Sequence, residues 1–430
     1  LATPLKAEPA NAAGAPAGHR GLRRLAAALT YRDFRVLWLG ACSSSIGTWM
    51  QSLAENWLVL SLTGSAFYLG LDAFLQQLPI MLFTLIGGVL ADRHDRRRTL
   101  LTSQYVQMTS ALSLAALVYL DLVQIWHILA LSFLTGCAQA FGGPAYQSLI
   151  PSLVKKADLP NAIALNSIQF NIARVIGPLL AGATLAAFQR SGASERVAMG
   201  SCFTINGLSF LVVIVALMSL RVTHIAPARS QPMLDELRGG LSYVRHESGV
   251  MALIVLAASS TFLGFSMLTL LPVFAQRIFE EGVAGYSWLM AFSAGGSVVG
   301  ALIVAWLGRF RHMGLTSLVA QMAYGVLTIG FALSRTLWVS YALLFLAGAL
   351  LMIVFSTVTS LVQLIAPNEM RGRVMSIYMV AFRGGMPLGA LVSGYLASIT
   401  SAPTVLLVNG ALLIAVAWYF LLRSHGMREL

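Results

Sequence analysis

Charge is what this sequence has least of. Only 10% of its 430 residues are Asp, Glu, Lys or Arg, whereas soluble domains carry about a quarter. With 57% of the residues hydrophobic, the chain is composed for a lipid bilayer and not for water. Cysteine is scarce as well. Cys42, Cys137 and Cys202 all fall inside apolar stretches, and three thiols so spaced match neither a metal ligand set nor a disulfide framework. They read as core residues. No Walker loop is present, which argues against ATP as the energy source. Neither His-Glu-x-x-His nor a nucleophile elbow occurs, which argues against a membrane hydrolase. No metal and no cofactor are expected.

Acidic residues number 16 against 28 Lys and Arg, giving a formal charge of +12. In a soluble protein that balance suggests nucleic acid, but the basic residues are spread over many short loops and form no single face or helix. No nucleic-acid partner is expected. The first stretch, Leu1 to about Gly21, is rich in Ala, Pro and Gly without an apolar core, so it reads as a cytoplasmic tail and not as a cleaved signal peptide.

Spanning helices need roughly 20 apolar residues each, and the apolar runs give twelve. In the first half they lie at about 36–62, 66–90, 99–120, 126–149, 159–188 and 198–220. The second half places them at about 250–275, 285–307, 314–334, 337–363, 372–398 and 403–422. The expected organisation is a tail over 1–35, a six-helix bundle over 36–220, a linker over 221–248, a second bundle over 249–422 and a tail over 423–430. With the N-terminus inside, 22 Lys and Arg collect on one face and only Arg190, Arg196, Arg277 and Arg335 on the other. The positive-inside rule then puts both termini in the cytoplasm.

The two halves repeat. Shifting the first by 212 residues lays Gly88 on Gly300, Arg97 on Arg309 and Gly136 on Gly348. After a three-residue slip, Arg174-x-x-x-Pro178-Leu179 falls on Arg383-x-x-x-Pro387-Leu388. Duplicated halves with a site between them are a recurrent plan of secondary transporters.

The loop after the second helix reads Gly88-Val-Leu-Ala-Asp92-Arg93-His-Asp95-Arg96-Arg97-Arg98. This resembles the Gly-x-x-x-Asp-Arg-x-Gly-Arg-Arg signature of the major facilitator superfamily, with Asp95 where a Gly is usual. Phe34-Arg35-x-Leu37-Trp38, Asn56-Trp57-Leu58-Val59 with Thr63-Gly64-Ser65, and Asn161-Ala162-x-Ala164-Leu165-Asn166 with Arg174-x-x-Gly177-Pro178 are similar to the subgroup of enterobactin exporters and macrolide efflux pumps. The resemblance runs from about Tyr31 to Arg423. It implies an all-α membrane protein, with twelve transmembrane helices in two pseudo-symmetric six-helix bundles. It further implies a secondary active transporter of the bacterial inner membrane that exports a small amphipathic molecule, with protons and membrane lipids as the other partners. A lipid flippase on the same fold and a non-transporting membrane sensor remain as alternatives.

By the same resemblance, Gly88, Asp92, Arg93, Arg96 and Arg97 form a gating motif, with Asp92 facing the N-terminal end of the eleventh helix, where the helix dipole favours an anion. Ordinary inner-face charge is the rival reading. Gly177 with Pro178 and Gly385 with Pro387 interrupt the fifth and eleventh helices, serving either as hinges or as tight packing. Glu55 and Asp72 are carboxylates within the membrane, suited to carrying a proton or to holding helices together by hydrogen bonds. A glutamine is common at the place of Glu55 in the proteins it resembles. Arg174 and Arg383 lie mid-membrane, where a cation costs about 2.5–3.5 kcal/mol unless it faces a cavity or a partner. With Gln51, Gln76, Asn166 and Asn171 they are the candidate cavity residues; bridging between helices is the alternative for the arginines.

Overall fold

The computed structural model describes residues 27–93, 95–220, 244, 247–367 and 369–423, and of residues 84–93 and 248 only the backbone. Of the expected tails, residues 1–26 and 424–430 lie outside the described residues, as does nearly all of the expected linker. Among the described residues the chain is helical, without strands. A 3-10 turn, Ala27–Thr30, leads into α1 (Arg32–Thr63), followed by α2 (Ala66–Arg93), α3 (Arg96–Tyr119), α4 (Ile125–Leu153), α5 (Leu159–Arg190) and α6 (Glu195–Ser219). The second half has α7 in two pieces, α7a (Ser248–Gly264) and α7b (Ser266–Arg277), then α8 (Val283–Leu307), α9 (Met313–Leu333), α10 (Leu337–Ile365), α11 (Arg371–Ile399) and α12 (Ala402–Arg423).

Ten of these are long and apolar enough to cross a membrane. The two that fall short, α1 and α3, carry polar side chains whose hydrogen bonds are made inside the bundle. The Ser103 hydroxyl of α3 donates to the Ala138 carbonyl of α4 at 2.7 Å, and the Gln107 amide donates back to Ser103. The structure starts α1 at Arg32 rather than 36. Phe34 and Leu37 are buried one turn apart while Arg32 stays exposed, so a charged stretch conceals an amphipathic turn.

The expected single helix over 250–275 is broken at Phe265. A break in the membrane frees carbonyls that lipid cannot satisfy, and side chains of neighbouring helices take them. Asn409 of α12 donates to the Leu263 carbonyl at 3.2 Å, and the Tyr324 hydroxyl of α9 donates to the Gly264 carbonyl at 2.8 Å.

Buried apolar residues form three clusters. One, at the end of the bundle where α1 turns into α2, joins both halves: Leu53, Leu60 and Leu69 share it with Leu270, Phe274 and Tyr286. The other two lie at the end that carries the termini, and each belongs to one half. Phe34, Leu149 and Phe210 sit in one, Leu253, Val358 and Tyr378 in the other. The halves are therefore packed together at the α1–α2 end and have separate cores at the terminal end.

The repeat shows in the packing. Gly177 of α5 lies against α1 at Ile46, Trp49 and Met50, and Gly389 of α11 lies against α7a at Phe262. Five residues on, Gly182 meets Ser287 of α8, while Gly394 meets Gly70 of α2. Both pairs keep the 212-residue offset without a slip. The three-residue slip that aligns Arg174 with Arg383 is thus not followed by the helix packing, and the two arginines do not hold equivalent places.

Candidate transport site

Three helices of the first half bring their polar residues together in the core. Glu55 of α1, Asp72 of α2 and Ser132 of α4 are each at most 5% exposed. The Ser132 hydroxyl donates to Glu55 Oε1 at 2.6 Å, and Gln51, one turn earlier on α1, donates to Glu55 Oε2 at 3.1 Å. Asn206 of α6 donates to Gln51 Oε1 at 2.7 Å and is itself bonded to Ser209. Asp72 lies beside Glu55 and Ser132, and its Oδ1 is buried without a partner. A continuous hydrogen-bonded chain therefore runs from α6 through α1 to α4, with Asp72 of α2 beside it.

Counting donors shows what this chain can do. Ser132 has one proton, and it is given to Glu55. An ionised Asp72 only accepts hydrogen bonds, and that proton is not available to its buried Oδ1. A buried charge without a partner is costly, and protonation removes that cost.

The halves meet above this cluster, toward the α1–α2 end. Tyr286 of α8 stacks on Trp57 of α1 with ring centroids 6.2 Å apart, and its hydroxyl accepts from Asn56 at 3.3 Å. Arg277, at the end of α7b, donates to the Gly64 carbonyl. Gly64 itself, at φ +61°, closes α1 in the left-handed conformation, which glycine adopts without strain. These contacts seal one end of the space between the halves.

The family emerges from comparison with known proteins. Residues 25–427 match the family described as transmembrane secretion effector. The chain is a member of the transmembrane secretion effector family. Like its relatives in the major facilitator superfamily, this secretion effector homologue is a multi-pass membrane transporter and not an enzyme. It is 26% identical to the staphyloferrin A transporter of Staphylococcus aureus over 89% of this chain and 94% of that one. It is 28% identical to the multidrug efflux pump Tap of Mycolicibacterium fortuitum, over 83% and 87%. The enterobactin exporter EntS of Salmonella typhi matches at 24% over 93% and 94%. Among solved structures, a bacterial homologue of the lysosomal transporter Spinster, inward-facing and occupied, superposes with a TM-score of 0.73 at 15% identity, over 93% and 98% of the two chains. That likeness shows the major facilitator fold.

In this family member the remaining expected site residues scatter. Arg174 is half-buried, its guanidinium 5.7 Å from the centre of the Trp49 ring. Arg383 is exposed, without a hydrogen bond or ion pair among the described residues. It lies seven and eleven residues before Ala390 and Gly394, the residues of α11 that meet α2, and these spacings share one helix face. Arg383 therefore looks toward the gap between the halves. Gln76 is half-buried on α2. Asn166 accepts from the Tyr146 hydroxyl at 2.8 Å, and Asn171 donates to the Ser167 carbonyl of its own helix. Gln51 belongs to the Glu55 chain. Pro178, Gly385 and Pro387 are buried, with Gly385 against Thr261 of α7a.

Of the gating motif, the side chains of Gly88, Asp92 and Arg93 lie outside the described residues. Arg96 donates to the Ser148 carbonyl at the end of α4 and Arg97 to the Met218 carbonyl at the end of α6. Both hold the start of α3 within its own half. Asp95, where a Gly was usual, caps α3 by accepting from the Arg97 and Arg98 amides.

The sequence reading missed Ser132 and Asn206, the two residues that join Glu55, directly and through Gln51, to α4 and α6. A single serine or asparagine in an apolar run carries no signal of its own. Only the packing of α4 and α6 against α1 gives it meaning.

Proposed function

We propose that this transporter is a proton-driven exporter of small amphipathic molecules, working by alternating access in the bacterial inner membrane with both termini in the cytoplasm. The observation that carries this is the cluster of Glu55, Ser132 and Asp72, two buried carboxyls with Asp72 Oδ1 lacking a partner, which lies below the seal between the halves. With the terminal end in the cytoplasm, the described conformation is closed to the outside, and its two separate cores leave the cytoplasmic side free to admit substrate.

Substrate entering from the cytoplasm meets Arg383, whose planar guanidinium suits carboxylate or carbonyl oxygens. Rocking of the halves about the α5 and α11 contacts then opens the α1–α2 end and closes the other. There Asp92 latches against the start of α11, where Gly372 has no neighbour within 4 Å of a would-be Cβ. A proton taken up by the carboxyl pair from outside and released inside resets the cycle. The names of the relatives support export of a siderophore, macrolide or other drug-like molecule.

The test is transport in proteoliposomes of staphyloferrin A, enterobactin and a macrolide under an imposed pH gradient. Uphill movement of at least one that a protonophore abolishes supports the proposal. Movement of all three that ignores the gradient refutes proton coupling, and a chain that binds but never moves them is a sensor.

A further inference from the structure

The second half carries a cationic cavity apart from the Glu55 cluster and from Arg383. Between the α8–α9 turn, the end of α10 and the start of α11 lies a space of about 450 Å³ lined by Arg309 and Arg371. It adjoins a second of about 590 Å³ that shares Arg309 and adds Arg311 and His312. The floor is apolar, with Leu361 and Leu364 of α10. Leu364 is 48% exposed, and Trp306, at the end of α8 beside the turn, is 85% exposed.

The repeat makes these arginines unusual. Arg309 corresponds to Arg97, yet Arg97 spends its guanidinium on the Met218 carbonyl, and Arg96 spends its own on Ser148. In the second half, Arg309 and Arg311 are exposed and make no hydrogen bond or ion pair among the described residues. Arg371 is held in place by the Gln363 carbonyl at 2.9 Å, which orients its fork, and it has no ion pair among the described residues. Three cations above a greasy floor, at the rim of a membrane protein and beside an exposed tryptophan, match one chemistry. A phosphate with its negative charge takes the rim, and the hydrocarbon next to it takes the floor.

We propose that this cavity binds the phosphate of an anionic phospholipid of the leaflet at the terminal end. The shared chemistry with free phosphate is the anion; what favours the lipid is the apolar floor and its opening beside Trp306. The tightness of the site follows from the charges, since each basic residue near an anionic membrane surface contributes about fivefold in binding, or about 1 kcal/mol.

The experiment is native mass spectrometry of the full chain released from mixed vesicles of phosphatidylglycerol and phosphatidylcholine. The wild type is expected to retain one phosphatidylglycerol in preference to phosphatidylcholine. Arg309→Gln with Arg311→Gln, which breaks no described hydrogen bond, is expected to lower that retention by about tenfold or more, and Arg309→Lys with Arg311→Lys to restore most of it. Arg190→Gln with Arg335→Gln, at the opposite end, is expected to leave it unchanged. Equal retention of both lipids, or equal loss in the two glutamine pairs, overturns the proposal. Millimolar inorganic phosphate that displaces the retained lipid and raises the unfolding temperature as much as phosphatidylglycerol does would assign the cavity to free phosphate and overturn the lipid.

Discussion

Gly70→Ala tests whether the described conformation is one of two that the chain exchanges between. A methyl group at Gly70 collides with the Ala390 carbonyl, and one at Gly394 comes within 2.9 Å of Gly70 Cα. Both obstacles are backbone, so no side chain can swing away and the helices α2 and α11 must separate. Overpacking of this kind costs about 1–3 kcal/mol, or about five- to 150-fold in a two-state ratio. The cost falls only on the conformer in which the halves touch at the α1–α2 end. The helix-propensity gain of alanine over glycine, about 0.5–1 kcal/mol, applies to both conformers and cancels. Gly143→Ala is the matched control, because a Cβ there meets nothing within 4 Å. Spin labels at residues 191 and 335, in the α5–α6 and α9–α10 turns of opposite halves, report the separation by pulsed electron resonance. The Gly70 variant is expected to shift its distribution to longer distances, with Gly143→Ala unchanged. An unshifted distribution in a folded Gly70→Ala protein refutes the two-conformer reasoning.

Other consequences are equally direct. Ser132→Ala strands Glu55 Oε1, so it is expected to lower stability by about 1–3 kcal/mol in thermal unfolding and to abolish uphill transport while leaving exchange. Tyr324→Phe leaves the Gly264 carbonyl without its donor and is expected to cost a similar amount at the α7 break, with substrate binding retained. Arg383→Gln is expected to fold normally and bind substrate more weakly in a thermal-shift assay, whereas Arg174→Gln loses its contact with Trp49 and lowers the unfolding temperature; the reverse pattern exchanges their roles. Asp92→Asn is expected to favour the inward-facing conformer, and unchanged distances across the cytoplasmic gate would make Asp92 a surface charge.

Much of the fold was legible because a membrane helix must satisfy its own backbone, which makes apolar length a direct reading of topology. The places where the reading slipped share a physical cause. At Arg32–Leu37 charge concealed an amphipathic turn, and at Phe265 the break is sustained by Asn409 and Tyr324, distant in sequence. Matching Arg174 to Arg383 by a short motif ignored that glycines, where helices touch, hold the register of a duplication more firmly than an arginine facing open space. Glu55 and Asp72 stood out because carboxylates are rare in such a chain. Their proximity did not, since it depends on how α1, α2 and α4 pack together.

The most direct test is the proton itself. Proteoliposomes loaded with a pH-sensitive dye, given on one side whichever of staphyloferrin A, enterobactin or a macrolide raises the unfolding temperature of the purified protein, report protons moving against the substrate. Proton exchange through the Glu55–Ser132–Asp72 cluster requires an internal pH change with wild type, in the direction opposite to substrate flux, and none with Glu55→Gln combined with Asp72→Asn, although that variant still equilibrates substrate. Substrate flux in the wild type with no pH change, or an undiminished pH change in the double variant, contradicts it.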